Sequence, residues 1–584
     1  MPKYSTILER TAYAAILLAA TLEFMSPFLI HYLGYDGFHA LMWITAFPAI
    51  LSHGVWYPHW LNYAYGGLGS STFYFYPPLA YFVITPLQLF FSGMTDITVF
   101  HIAGFAMTLA SLLSMRYLLR IVQAERWLAW LGSLLYAYAP YHFDVLYVRS
   151  GPAEHLAFVW APLVFAGLIL LLRDRNPTRG FILLAVSWGL LLVSHVPAAV
   201  TIGIAAIVIT LASIRRLTWP RFGIMTLAAV LGTALAAFYF LPVAYFAPFA
   251  QLKYLRVTYD GLEDPLLGFL DVLHGRDLTV KGIATAHYFT VLIMTVVLVR
   301  LWWNQRKTSP GGTKHFLVSV LALMAITDLF FQNVLISRPV WDALRLTQVV
   351  QFSWRWNLLA SVLAAVVFAT VRDQRSRVWI NLSVIGLALI ASTAAIFHNF
   401  DVRVHPPLPQ RTPFDPPEYA PVWANPSKDS VVAFALLHQD DAYAQDTSGR
   451  WLHESILARR PNDVRFSLTL EKPTTVVLHH WYWPAWKIYD AATGHEIPER
   501  PRPDGRESFL MPAGYHALDY QLETTDSERA GAILSLAALV AILMTALLLG
   551  MLHRKKPIAT TRSPAEKAGT RSGPSIIKSS VTRS

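Results

Sequence analysis

Few side chains in this sequence can do chemistry, and they fall in short clusters between apolar runs. The first is Asp36-Gly-Phe-His39, just beyond the first strongly apolar segment. A carboxylate at a membrane surface can act as general base toward an acceptor hydroxyl, help hold a cation, or merely shape a turn with Gly37. In a helix starting near Gly37, His39 would share a face with Asp36. The pair suits phosphate or a metal ion, and Asp36 equally suits a helix cap. Next come Trp56-Tyr57-Pro-His59-Trp60, then Gly66-Gly-Leu-Gly69 and Tyr76-Pro-Pro. Rings beside glycine make shallow platforms for sugars, and glycine lets a ligand approach the backbone. Near an interface the same rings also serve as belt residues. The glycines form no phosphate loop, because no Lys-Ser/Thr follows them.

Three further positions share that side of the chain. Arg149, in Arg149-Ser-Gly-Pro-Ala-Glu154, is almost the only basic residue in the expected outer loops before Lys253. Its guanidinium suits a phosphate, or a salt bridge to Asp144 or Glu154. His195, in Ser194-His-Val-Pro197, reads as a packing residue or as a site residue. Arg355, between Trp354 and Trp356, reads as a second phosphate ligand or an interface anchor. Asp328 is a candidate because ionisable groups at membrane depth are expensive to bury. Nothing matches a Ser-His-Asp elbow, a His-Glu-x-x-His zinc motif or a dinucleotide fingerprint. The chain has no cysteine, which excludes thiolate metal sites and cysteine nucleophiles.

The elements that must position these residues are membrane helices. Of 584 residues, 55% are hydrophobic and only 14% charged, against about 25% charged in globular chains. Apolar runs of spanning length end repeatedly in Arg or Lys. The net charge of +11 therefore follows the positive-inside rule and does not indicate nucleic acid. The run at 12–30 reads as a retained signal-anchor. Lys3 and Arg10 place the N-terminus in the cytoplasm and Asp36 outside. Two helical pieces, 40–51 and 77–91, are too short to span and suit the outer surface. Laying 77–91 on that surface makes 97–119 the next span and puts Arg116, Arg120 and Arg126 inside. Further spans are expected at 127–142, 156–172, 180–196, 198–214, 222–245, 286–302, 315–333, 356–371, 378–397 and 530–552.

The expected architecture is a polytopic domain over 1–398 with a large first outer loop at 31–96. An extracytoplasmic β-rich domain follows over 399–528, where alternating runs such as 464–470 and 475–480 carry strand and turn signals. A final helix occupies 529–553, and a basic, disordered cytoplasmic tail 554–584. The fold class is membrane α-helical, with about twelve spans and both termini inside.

Taken in order, several motifs resemble integral-membrane GT-C-type glycosyltransferases. They are Asp36-x-x-His39, Tyr57-Pro-x-Trp60, Gly67-x-Gly69, Tyr76-Pro-Pro-Leu79, Ala139-Pro-Tyr through Tyr147-Val-Arg149 to Ala153-Glu154, Ser194-His-Val-Pro197, Phe240-Leu-Pro242 and Gln351-Phe-x-Trp-Arg355. With Tyr482-x-Pro-x-Trp486 and Pro512-Ala-Gly-x-His516, the chain more closely resembles bacterial membrane proteins labelled 6-pyruvoyl-tetrahydropterin-synthase-related. No spacing for a His-ligated zinc accompanies that label. The resemblance implies inverting transfer from a polyprenyl-phosphate-linked sugar to a glycan, lipid or protein acceptor, outside the bacterial inner membrane. It implies Asp36 as base, with His39 orienting the acceptor or the donor phosphate. Arg149 and Arg355 would hold phosphate, with Glu154 and His195 beside them. Tyr57, His59, Trp60 and Tyr76 would position the sugar. A single acid stands before His39 where many such enzymes have a pair, which leaves a divalent metal ion as an open possibility. A flippase for lipid-linked glycan and a non-catalytic scaffold are the rival readings.

Overall fold

The computed structural model describes residues 36–173, 176–255, 280–308, 313–370, 416–424 and 443–554, together with Arg10. It shows a helical, multi-pass membrane protein carrying a small antiparallel β domain near its C-terminal end. The helices are α1 (Gly37–Ser52), α2 (Leu79–Phe90), α3 (Asp96–Ile121), α4 (Arg126–Ala137), α5 (Pro152–Leu172), α6 (Pro177–Ser194), α7 (Val196–Ala212), α8 (Trp219–Leu235), α9 (Ala237–Phe246), α10 (Val280–Thr308), α11 (Thr313–Gln332), α12 (Val334–Ala343), α13 (Asn357–Thr370) and α14 (Asp526–Arg554).

Among the described residues six helices are long and apolar enough to cross a membrane; the bent pair of α8 and α9, turned by 61°, would make a seventh. The expected count of twelve is therefore not reached among them. The expected spans at 12–30 and 378–397, and the tail from 555, lie outside the described residues. The span expected at 127–142 is instead a helix of 12 residues. Ala139 is extended and Pro140 opens a new short helix, because the residue before proline is driven out of the helical region. Helices α1 and α2 are short and apolar, each with an internal proline, Pro48 and Pro86.

Packing fixes which helix ends meet. Gly167 lets α5 and α6 cross closely: a Cβ there would lie 2.5 Å from the Leu184 backbone nitrogen. Arg173, capping α5, donates from Nη1 to the Ile121 carbonyl at the end of α3 (2.9 Å). Arg179, in the first turn of α6, lies over the Tyr117 ring. The arginines at these turns thus share one end of the bundle. The opposite helix ends carry Arg149, Glu154 and His195.

The β domain has two antiparallel sheets. One orders β1 (Ala444–Gln445), β4 (Thr474–Trp481), β8 (Arg506–Met511) and β7 (Glu499–Pro501) as β1-β4-β8-β7. The other orders β2 (Glu454–Arg460), β3 (Asp463–Leu470), β9 (Gly514–Leu522), β5 (Trp486–Asp490) and β6 (Glu496–Ile497) as β2-β3-β9-β5-β6. Strands lie over both runs, 464–470 and 475–480, where alternation signalled them. Their inward residues, including Phe466, Leu478, Phe509 and Leu518, pack in one core with Trp43, Phe47, Trp60 and Tyr65 of the 37–91 segment. Backbone bonds tie the two together, Trp481 N–H donating to the Leu68 carbonyl at 2.9 Å. Gly69 sits at φ +91°, where an added Cβ would come within 2.4 Å of the Trp60 indole; only glycine accommodates both demands.

Candidate functional site

A strap of irregular backbone builds the centre of the site. After the short helix Pro140–Phe143 the chain makes one π turn over Asp144–Val148. It then passes Arg149, a left-handed Ser150 at φ +58°, and Gly151 before α5 begins at Pro152. Such sparsely populated conformations persist only where the surroundings over-determine them, and they cluster at functional sites. The result places Glu154 in the first turn of α5, where the helix dipole favours a carboxylate, and folds Arg149 back over it.

Arg149 bonds two carboxylates. Nη1 donates to Glu154 Oε2 at 2.6 Å and Nη2 to Asp36 Oδ2 at 3.2 Å. Its carbonyl also accepts from the Asp36 backbone N–H at 3.0 Å. Tyr141 donates its hydroxyl to Glu154 Oε1. The two acids differ sharply in exposure: Glu154 is 2% exposed, whereas the Asp36 side chain is 45% exposed. Asp36 occupies the N-cap position of α1 without a side-chain capping bond, and among the described residues its carboxylate pairs with Arg149.

Two more residues close the cluster from other elements. His195 joins α6 to α7, and its Nδ1 accepts from the Ala198 N–H at 3.3 Å. That bond puts the ring proton on Nε2, which lies 3.8 Å from Glu154 Oε2. Arg355, at the turn entering α13, donates from Nη1 to the Val350 carbonyl and to Gln351 Oε1, both at 2.7 Å. Its Nε faces Glu154 Oε2 at 3.9 Å. Gln351 is itself left-handed, at φ +67°. Tyr76 lies within electrostatic reach of this group. Burial and the Asp36 carboxylate push its phenol above its ordinary pKa, which keeps it a hydroxyl donor.

Asp36, Tyr76, Arg149, Glu154, His195 and Arg355 are therefore brought together. The other candidates lie elsewhere. His39 stacks on Trp43 at 5.9 Å and joins the ring cluster on α1. Tyr57 donates to the Phe73 carbonyl at 3.0 Å. His59 stacks between Tyr57 (3.8 Å) and Tyr74 (4.5 Å), with Nδ1 at 3.1 Å from Glu528 Oε1; burial holds its pKa down at about 3. Trp60 corrects the expected sugar platform. It is fully buried against His480 and Trp483 at 5.1 and 5.7 Å and presents no face to a ligand. Asp328 is buried within α11 and accepts from Gln332 Nε2 at 2.6 Å. Tyr141 and Gln351 were missed as site residues. Their signals were proximity to Arg149 and the four-residue spacing to Arg355.

Among the described residues no three His, Asp or Glu side chains gather as a metal-holding group. In the cluster itself both carboxylates bond Arg149, so a divalent ion would lie against a fixed positive charge. These residues do not fit a metal. Both guanidiniums face the buried Glu154, and Asp36 is the accessible carboxylate beside them.

No family model and no curated protein matches the chain. Among solved structures it is similar to the Archaeoglobus fulgidus oligosaccharyltransferase in its apo form (TM-score 0.40, 12% identity, covering 70% of this chain and 62% of that one). It is similar also to the archaeal oligosaccharyltransferase AglB of Archaeoglobus fulgidus in complex with an inhibitory peptide and a dolichol-phosphate (0.38, 13%, 70% and 61%). A third is the arabinofuranosyltransferase AftD from Mycobacteria (0.42, 14%, 67% and 27%). The chain spans less than two thirds of each of these, and scores this low do not establish a common fold. The family resemblance thus rests on the ordered sequence motifs.

Proposed function

We propose that the protein is a membrane glycosyltransferase of the GT-C type that moves a sugar from a polyprenyl-phosphate donor to an extracytoplasmic acceptor. The observation that carries the reading is the sharing of Arg149 between a buried carboxylate, Glu154, and an accessible one, Asp36. In the proposed step the donor phosphate lies between Arg149 and Arg355, with the His195 Nε2–H as a further donor. Phosphate takes the Arg149 Nη2–H, whose bond to Asp36 is the longer of the two. Asp36 is released to accept the proton of the acceptor hydroxyl. The hydroxyl oxygen attacks the anomeric carbon as its bond to phosphate oxygen breaks, and polyprenyl phosphate leaves with that electron pair. Attack opposite the leaving group inverts the anomeric centre. Fixed cations in a site with little water stabilise the leaving phosphate more than they would in bulk solvent.

Sidedness follows the charge pattern: the arginine-rich helix ends face the cytoplasm and the cluster faces the far side of a bacterial inner membrane. The test is turnover of labelled polyprenyl-phosphate sugar by purified protein in liposomes, with an acceptor supplied. Transfer abolished in Asp36→Asn supports the reading. Lipid movement across the bilayer without turnover would replace it with a flippase, and neither activity would leave a scaffold.

A further inference from the structure

Away from the Asp36 cluster, a cavity of about 270 Å³ opens between the 37–91 segment and the β domain. One wall is His53, Asn62 and Tyr63, and the other is Tyr443, Arg459, Arg460, His480 and Trp486. Its volume is near the lower end of the ~300–1,000 Å³ typical of small-molecule sites. Among the described residues no carboxylate lines it, while two exposed arginines do. Two acids on the same strands lie nearby. Glu454 accepts from the Tyr443 N–H and is within electrostatic reach of Arg459. Asp463 lies 4.0 Å from Arg465, which Asp519 holds more closely at 3.1 Å. Arg459 lies 5.6 Å above the Tyr443 ring, an arrangement that holds a guanidinium in place.

The walls also hold three buried polar atoms without a bonding partner among the described residues: Asn62 Oδ1, His480 Nε2 and Trp486 Nε1. Buried polar groups are nearly always bonded, so a cluster of exceptions calls for an explanation. His480 cannot turn to satisfy itself. Its Nδ1 side is held by the Tyr520 hydroxyl and the Trp481 carbonyl, both at 2.8 Å. One hydroxyl acceptor, two ring nitrogens, aromatic walls and two guanidiniums describe a ligand with both hydroxyls and a negative charge.

We propose that this cavity binds an acidic sugar residue, one bearing a carboxylate or a phosphate. The site is separate from the proposed transfer centre and stands whether or not that centre transfers sugar. Arg459 and Arg460 hold the anion, and the Asn62 and His480 wall takes the hydroxyls.

The test is calorimetric titration of the purified full-length protein with glucuronate, glucose 6-phosphate, glucose and inorganic phosphate. Glucuronate or glucose 6-phosphate should bind about tenfold or more tighter than glucose, since a charge-assisted bond contributes roughly 1.5–3 kcal/mol. The tighter of the two identifies the anion. Arg459→Gln/Arg460→Gln, both at exposed positions, should abolish that preference, while Asp36→Asn should leave it intact. Equal binding of all sugars would overturn the proposal. So would a preference that survives the double substitution, or inorganic phosphate competing as well as the sugars do. Loss of binding in Asp36→Asn would also overturn it, by assigning the ligand to the other site.

Discussion

Arg149 bonds two carboxylates whose side-chain exposure differs about fifteenfold, 3% against 45%, and the two should therefore fail differently. Removing Asp36 breaks a half-exposed pair, and such pairs contribute under about 1 kcal/mol. Removing the charge of Glu154 breaks a buried 2.6 Å pair and leaves Arg149 short of its desolvated partner, a change that costs about 3 kcal/mol or more. Asp36→Asn should unfold at nearly the wild-type temperature while losing about 10²–10⁴-fold in transfer rate, the range for a general base. Glu154→Gln keeps the side-chain shape and the Tyr141 contact, yet should lower the melting temperature clearly. Arg149→Met should cost about 3–5 kcal/mol by stranding Glu154, and adding Glu154→Gln should return part of that stability but none of the activity. The assays are thermal unfolding in detergent and turnover of a polyprenyl-phosphate sugar. If Asp36→Asn were as unstable as Glu154→Gln, or transferred sugar normally, the division of labour would be refuted.

Arg355→Lys should raise the donor KM about tenfold with a smaller effect on kcat, because an ammonium cannot hold the Val350 carbonyl, Gln351 and a phosphate together; steady-state kinetics would show this. Gly69→Ala should destabilise by about 1–3 kcal/mol, from a left-handed backbone and a clash with Trp60, and should shift the unfolding midpoint while leaving Arg149 chemistry untouched. His480 is held by burial at a pKa of about 3, below its ordinary 6.5. The unfolded chain thus binds a proton that the folded one refuses. That contribution is complete above about pH 6.5 and falls by about 1.4 kcal/mol per pH unit below it. Melting temperatures from pH 7.5 down to about 4.5 should show a shallower decline in His480→Gln than in wild type.

Much of this was legible in the sequence, for physical reasons. An arginine on the side from which cations are otherwise excluded is conspicuous, so Arg149 stood out, and helix ends that return to one side had to bring it near Asp36, His195 and Arg355. Alternation marked β3, where Arg465 and Thr469 stay open between buried residues, whereas β4 was marked by its β-branched run and is buried on both faces from Val476 onward. Trp60 reads as a sugar platform in sequence but is buried, because Trp beside glycine looks the same whether a sugar or a β sheet covers it. What covers Trp60 is Trp483 and His480, more than four hundred positions later in the chain, and no local pattern reports that. The short α4 was overrun for the opposite reason: hydropathy continued through Pro140, while backbone sterics did not.

The core shared by the 37–91 segment and the β domain has a consequence for biosynthesis. The early segment leaves the ribosome hundreds of residues before part of its packing exists. Trp43 and Phe47 pack on Phe73 and Tyr81 of their own segment, but Trp60 and Tyr65 lack their ring partners His480, Trp481 and Trp483 until the β domain is made. Contacts of such sequence separation form late and slowly, and waiting apolar surface is where misassembly begins. The Asp36 backbone, tied to the Arg149 carbonyl, is anchored to this same late-closing unit. On the function proposed above, the centre is therefore complete only after nearly the whole chain has been synthesised.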